Sequence, residues 1–143
     1  MFGRIMLAWD GSEASLRAFD VAIDISRRYD AELVAVSVAY SPAHAETQAD
    51  RRETADAAHR YLADTFEEVV DRAQRAGVLV THEIVDGDTP ARALETYAHD
   101  HGIDLIVCGH HPTTRAGRLL LRDIAQDLMQ QPTPVLAVND ETG

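Results

Sequence analysis

The sequence predicts one α/β domain, a doubly wound five-stranded parallel sheet with helices on both faces. Three observations carry that reading. Five short apolar runs recur along the chain, segments of helical spacing separate them, and 143 residues suit a single core with no room for a second. Strand and helix alternate four times before a last strand, as right-handed crossovers between parallel strands require.

The runs are Arg4 to Ala8, Glu32 to Val38, Val78 to Val85, Asp104 to Cys108 and Pro134 to Val138. The second, fourth and fifth are nearly continuous Val, Leu, Ile or Ala, the pattern of strands covered on both faces. The third carries Thr81, His82 and Glu83 and suits a sheet edge. After the first run, Ser12 is a good N-cap for a helix reaching about Tyr29, with Phe19, Ala22, Ile23 and Ser26 inward and Ser15 and Arg17 toward solvent. Asp30 marks its end. Ala39 to Asp50, with Ser41-Pro42 and no periodicity, reads as the one long loop. Ala58, Leu62, Phe66, Val69 and Ala73 then step by four, four, three and four, the stripe of an amphipathic helix. Thr89 before Pro90 sets an N-cap ahead of proline at the first helical position, opening a helix through Leu94 and Tyr97 that stops at Gly102. A last helix spans roughly Gly117 to Gln130, with Leu120, Leu121, Ile124 and Leu128 on one side, and Pro132 and Pro134 end it.

Composition narrows the partners. Twenty-four acidic residues against 13 basic ones leave a net charge of −11, a field that repels phosphate backbones, so no nucleic-acid partner is expected. The only dense basic groups, Arg27-Arg28 and Arg51-Arg52, fall in helical stretches. The single cysteine, Cys108, excludes an intramolecular disulfide, and its place in an apolar run marks it as a small buried hydrophobe, at home in a reducing cytoplasm. The apolar residues before Trp9-Asp10 are too few for a signal segment, and nothing approaches the ~20 apolar residues of a spanning helix, so no membrane association is expected.

In open parallel sheets ligands sit beyond the carboxyl ends of the strands, where the strand order reverses. Here those ends are Trp9-Asp10-Gly11, Val38 to Tyr40, Asp86-Gly87-Asp88 and Gly109-His110-His111. The stretches Arg4 to Ser12, Asp104 to His111, Val85 to Ala91 and Pro132 to Val138 together resemble the universal stress protein family, and the likeness spans nearly the whole chain. The resemblance implies the strand order 3-2-1-4-5, a homodimer, and a role in stress adaptation. It also implies a nucleotide site in which Asp10 faces the nucleoside and the Val38 backbone meets adenine. A plain reading stands beside each: Asp10-Gly11-Ser12 is also an ordinary turn with a helix N-cap, and Val38 is also the last buried residue of its strand.

ATP-binding members of that family carry a loop G-x-x-G-x9-G-[ST], whose glycines let the backbone approach the phosphates. Gly109 aligns with its first glycine, but Pro112 stands at the second, Arg122 at the third and Asp123 at the Ser/Thr. Proline removes an amide donor and fixes φ, and Arg122 fills space left for oxygen atoms, although its guanidinium is itself a phosphate ligand. A carboxylate ~4 Å from a phosphate is repelled by about 1 kcal/mol in water and about 4 kcal/mol at an effective dielectric of ~20, so Asp123 weakens binding roughly tenfold to a thousandfold. Val107 to His111 is similar to the UspA-like branch, which is not known for ATP binding.

The expectation is therefore a cytoplasmic, non-catalytic stress-response regulator with a degenerate nucleotide site at Asp10, Val38, Gly109, Arg122 and Asp123 and no resident cofactor. An ATP binder in which Arg122 replaces the lost glycine contacts is the alternative. Thr113 and Thr114 are candidates for phosphorylation by position alone, and protein clients leave no signature. No nucleophile elbow, P-loop or dinucleotide fingerprint occurs, and without lysine there is no Schiff base, so no catalytic residue is expected. His110-His111 suggests a metal or an acid/base pair, but adjacent residues rarely converge on one ion, Cys108 points into the sheet and His99 and His101 sit at a helix end, so loop histidines with neither role are expected. Under the family's strand order the last run lies at the sheet edge, and a second copy is expected to pair there through Val135 to Val138.

Overall fold

The computed structural model describes residues 2–40, 48–110 and 124–139. Within them, β1 (Arg4–Ala8), β2 (Glu32–Tyr40), β3 (Val80–Gly87), β4 (Leu105–His110) and β5 (Val135–Asn139) form one parallel sheet in the order 3-2-1-4-5, as expected. The helices are α1 (Glu13–Tyr29), α2 (Gln48–Glu67), α3 (Asp71–Arg75), α4 (Pro90–Asp100) and α5 (Ile124–Met129). Side chains alternate across β1, so Ile5 and Leu7 enter one core and Met6 the other. The first core packs Phe19 of α1, Phe66 of α2 and Ala73 of α3 against the sheet; the second packs Leu94 of α4 and Leu128 of α5, with Cys108 buried among them.

Local chemistry explains the helix ends and several departures from the sequence reading. Ser12 Oγ accepts from Ser15 N–H at 3.1 Å, and Asp30 closes α1 in the left-handed region at φ 52°. Ser15 faces the interior rather than solvent, because its hydroxyl donates to the Ser12 carbonyl at 2.9 Å and is thereby satisfied in the core; Arg17 is half-buried. The stripe from Ala58 to Ala73 is not one helix. α2 stops at Glu67, the β-branched pair Val69-Val70 lies in a turn, and α3 restarts at Asp71, yet Leu62, Phe66 and Ala73 all stay buried. The Arg72 to Asp20 ion pair at 3.0 Å ties α3 to α1.

The long loop is shorter than expected, since Ala39 and Tyr40 extend β2 and Gln48 to Asp50 open α2. β3 begins at Val80, after buried Val78 and exposed Leu79, and takes the sheet edge as its polar content implied. Thr89 caps α4 in position only: its hydroxyl donates to Asp88 and accepts from no helix amide. The expected start of the last helix, with Leu120 and Leu121, lies outside the described residues.

Candidate functional site at the carboxyl end of the sheet

The helices after β1 and β2 lie on one face and those after β3 and β4 on the other, so the strand order reverses between β1 and β4. Register makes this point a notch. Pairing of β1 with β2 ends at Ala8↔Val36 and with β4 at Leu7↔Val107, whereas β2 and β3 stay paired to Tyr40↔Gly87 and β4 and β5 to His110↔Asn139. The central strand is the short one, and β2 rises past it by about 13 Å at ~3.3 Å per residue. Its floor is the turn Trp9-Asp10-Gly11, and its walls are the ends of β2 and β4.

Among the described residues, one wall presents an unpaired edge. Trp9 N–H donates to the Val36 carbonyl at 3.0 Å, so the polar backbone of Val36 faces β1, and that of Val38, two residues on, faces the same way above the end of β1. Val38 is half-buried rather than the last buried residue of its strand; Ala39 beyond it is fully buried and turns to the opposite face. On the floor, Asp10 Oδ1 accepts from Ser12 N–H at 2.9 Å, which fixes the carboxylate beside the N-terminus of α1. Gly11, at φ +82°, passes under α2 with Tyr61 and Thr65 above it. Sequence reasoning missed Tyr61, which comes from a helix 50 positions away.

In the other wall, Gly109 is required by packing. The first turn of α1 crosses it at Ala14, leaving no room for a side chain, a constraint separate from the phosphate approach that the sequence suggested. His110 is half-buried at the end of β4. His111, Pro112, Thr113, Thr114, Arg122 and Asp123 lie outside the described residues. His99 and His101 close α4 at the opposite, amino end of the sheet, and among the described residues no group of three His, Cys, Asp or Glu is placed to hold a metal.

Two further polar pairs flank the notch. His59 Nε2 lies 2.8 Å from Asp86 Oδ1, tying α2 to the end of β3. Deeper, Ser37 Oγ–H donates to the Trp9 carbonyl at 2.7 Å and lies 2.8 Å from His82 Nε2; burial pushes the His82 pKa down to about 4. Trp9 itself is 3% exposed, its Nε1–H donating to Thr65 Oγ1 and its ring edge-on to Phe19 and Phe66. A groove of about 600 Å³ lies at the amino end, between Arg4, Leu33, Tyr97 and His101, away from every residue of the notch. There Tyr97 donates to Glu83, and burial, reinforced by that carboxylate, pushes the phenol up to about 12.

The notch thus offers one amide and one carbonyl on an open strand edge, a carboxylate and a helix N-terminus. Such a set is complementary to a planar donor–acceptor edge and a hydroxyl, and the Ser12 hydroxyl beside it is already the cap of α1.

Known proteins place this architecture. The model of the universal stress protein family matches residues 1–139. A universal stress protein of Methanocaldococcus jannaschii is 28% identical over 141 residues, covering 96% of this chain and 82% of its own. Among solved structures, universal stress protein UspA from Lactobacillus plantarum superposes with a TM-score of 0.82 at 26% identity, covering 96% of this chain and 97% of that one. A universal stress protein in complex with cAMP superposes at 0.73 with 27% identity, covering 97% and 98%. Among the described residues, no helix is long and apolar enough to cross a membrane. A match from end to end, on the expected sheet order, assigns the chain to the universal stress protein family.

Proposed function

We propose that the chain is a non-catalytic stress-response regulator whose notch takes an adenosine monophosphate and holds ATP poorly. The observation that supports this is the edge of Val38 standing above the Asp10 turn, which would offer a nucleoside one amide donor, one carbonyl acceptor and a carboxylate. The phosphate half is degenerate in sequence, with Pro112, Arg122 and Asp123 at three loop positions. A net charge of −11 also disfavours a polyphosphate more than a monophosphate. A relative in complex with cAMP supports the ligand class. On this reading the protein works in the cytoplasm as a homodimer through Val135 to Val138.

Calorimetric titration with AMP, cAMP and ATP with Mg²⁺ tests the proposal. Monophosphate binding is expected at micromolar to submillimolar Kd, ATP at least about fivefold weaker from the Asp123 repulsion alone, and loss of both in Val38→Pro, which lacks the wall's amide. ATP binding tighter than AMP would overturn the proposal in favour of phosphate capture by Arg122. No binding of any of the three would overturn it outright.

A further inference from the structure

His82 reaches Trp9 by two routes. Through hydrogen bonds, its Nε2 meets Ser37 Oγ, whose single proton is given to the Trp9 carbonyl; Ser37 therefore accepts from Nε2–H, and the neutral ring keeps a lone pair on Nδ1. Through rings, it stacks on Phe66 at 4.4 Å between centroids, and Phe66 meets the Trp9 indole edge-on at 5.7 Å. Trp9 immediately precedes Asp10, so the side chain in β3 braces the floor of the notch from below.

Among the described residues, a second proton on this ring has no anion to meet. β2 presents Ala35 and Ser37 beside it and α2 presents Phe66. Of the charged and titratable groups on the elements packed around it, Asp86 and His59 are paired with each other and Arg72 is paired with Asp20. Glu83 takes the Tyr97 hydroxyl across the sheet, while Asp64 and Glu67 are exposed on α2.

We propose that His82 is a positioning residue for the notch and an acid-operated latch: the neutral ring stays buried against Ser37 and Phe66 and holds the Trp9 carbonyl through Ser37, whereas a charged ring, still bearing Nε2–H, must leave the stack to hydrate its Nδ1–H and in leaving frees Trp9 and loosens the Asp10 turn. Burial without a counter-charge sets the operating range well below neutrality, near pH 4. The ligand arm of the test rests on the nucleotide reading above, and the fluorescence arm does not.

Trp9 is the only tryptophan, so its emission reports the latch directly. Between pH 7 and pH 3.5 the wild type should show a step in emission with a midpoint near pH 4, while far-UV circular dichroism stays unchanged. His82→Gln keeps an amide donor for Ser37 but cannot titrate, and should lose the step while matching wild-type emission at pH 7. Ser37→Ala, which leaves the ring stack intact, should reduce its amplitude. AMP affinity should fall about twofold at pH 4 in the wild type, where half the rings are charged, beyond the change in His82→Gln. Identical pH profiles in wild type and both variants would overturn the latch, as would loss of circular dichroism coincident with the step. Failure of AMP to bind at any pH would sink the nucleotide reading alone and leave the emission step to decide.

Discussion

Ala14 sits directly on Gly109: a Cβ placed there would lie 2.6 Å from the Ala14 carbonyl carbon and 2.7 Å from its Cβ. The glycine that sequence reasoning read as an opening for phosphate is also the seat of α1 on β4. Gly109→Ala should therefore destabilise the apoprotein by about 1–3 kcal/mol, the usual cost of overpacking a core. Adding Ala14→Gly should restore only part of this, since the conflict with the carbonyl carbon remains. Urea midpoints of the two variants check it; an unchanged midpoint in Gly109→Ala would show that α1 has room to shift.

The His82 ring also sets a pH dependence of stability. Its folded pKa, about 4, lies below the unfolded 6.5, so between those values the unfolded chain binds more protons. Stability is then full above about pH 6.5 and falls as the pH drops toward 4. The shift sets a ceiling of about 3 kcal/mol, and partial solvent access to the ring reduces it to roughly 1–2 kcal/mol. Chemical denaturation from pH 7 to pH 4 should show this loss in the wild type and a flatter curve in His82→Gln.

Much of the fold was legible because local signals agreed with the global arrangement. β1 matches its apolar run from Arg4 to Ala8, and α1 matches its span from the Ser12 cap to Asp30, because cap, periodicity and stop all fall in one stretch. The break between α2 and α3 was hidden, since the buried stripe continues across it. The strand ends that form the notch were legible, but its depth was not, for it depends on register: run lengths show that β1 is short but not that β2 and β4 both outrun it at the same end. The steric demand on Gly109, the His59 to Asp86 pair and the hold of Asp104 on the Gly3 and Arg4 amides at 2.8 and 3.0 Å are long-range contacts with no local signature.

β5 offers a prediction about assembly. Ile106 N–H donates to the Pro134 carbonyl at 2.9 Å, so the backbones of Leu136 and Val138 face β4 while those of Val135 and Ala137 face outward. Light scattering at micromolar concentration should give a dimer mass. Ala137→Pro removes an outward donor without touching the ladder to β4 and should give a folded monomer. A monomeric wild type would reject pairing through this edge.

Rebuilding the loop tests the proposal that the residues at 112, 122 and 123 disfavour ATP. Pro112→Gly restores a donor and the freedom to curl, Arg122→Gly clears the space for oxygen atoms, and Asp123→Ser replaces a repelling carboxylate with a hydroxyl donor. Removing the charge alone should raise ATP affinity at least about fivefold, and the triple variant more, while AMP affinity, which the proposed function assigns to Val38 and Asp10, should change little. The contrast between the two ligands separates the halves of the site. A parallel rise for AMP would mean that the substitutions act on the whole notch. No rise for ATP would move the obstacle to the floor, where Trp9 and the Asp10 turn are fixed by Thr65, Ser37 and Ser12.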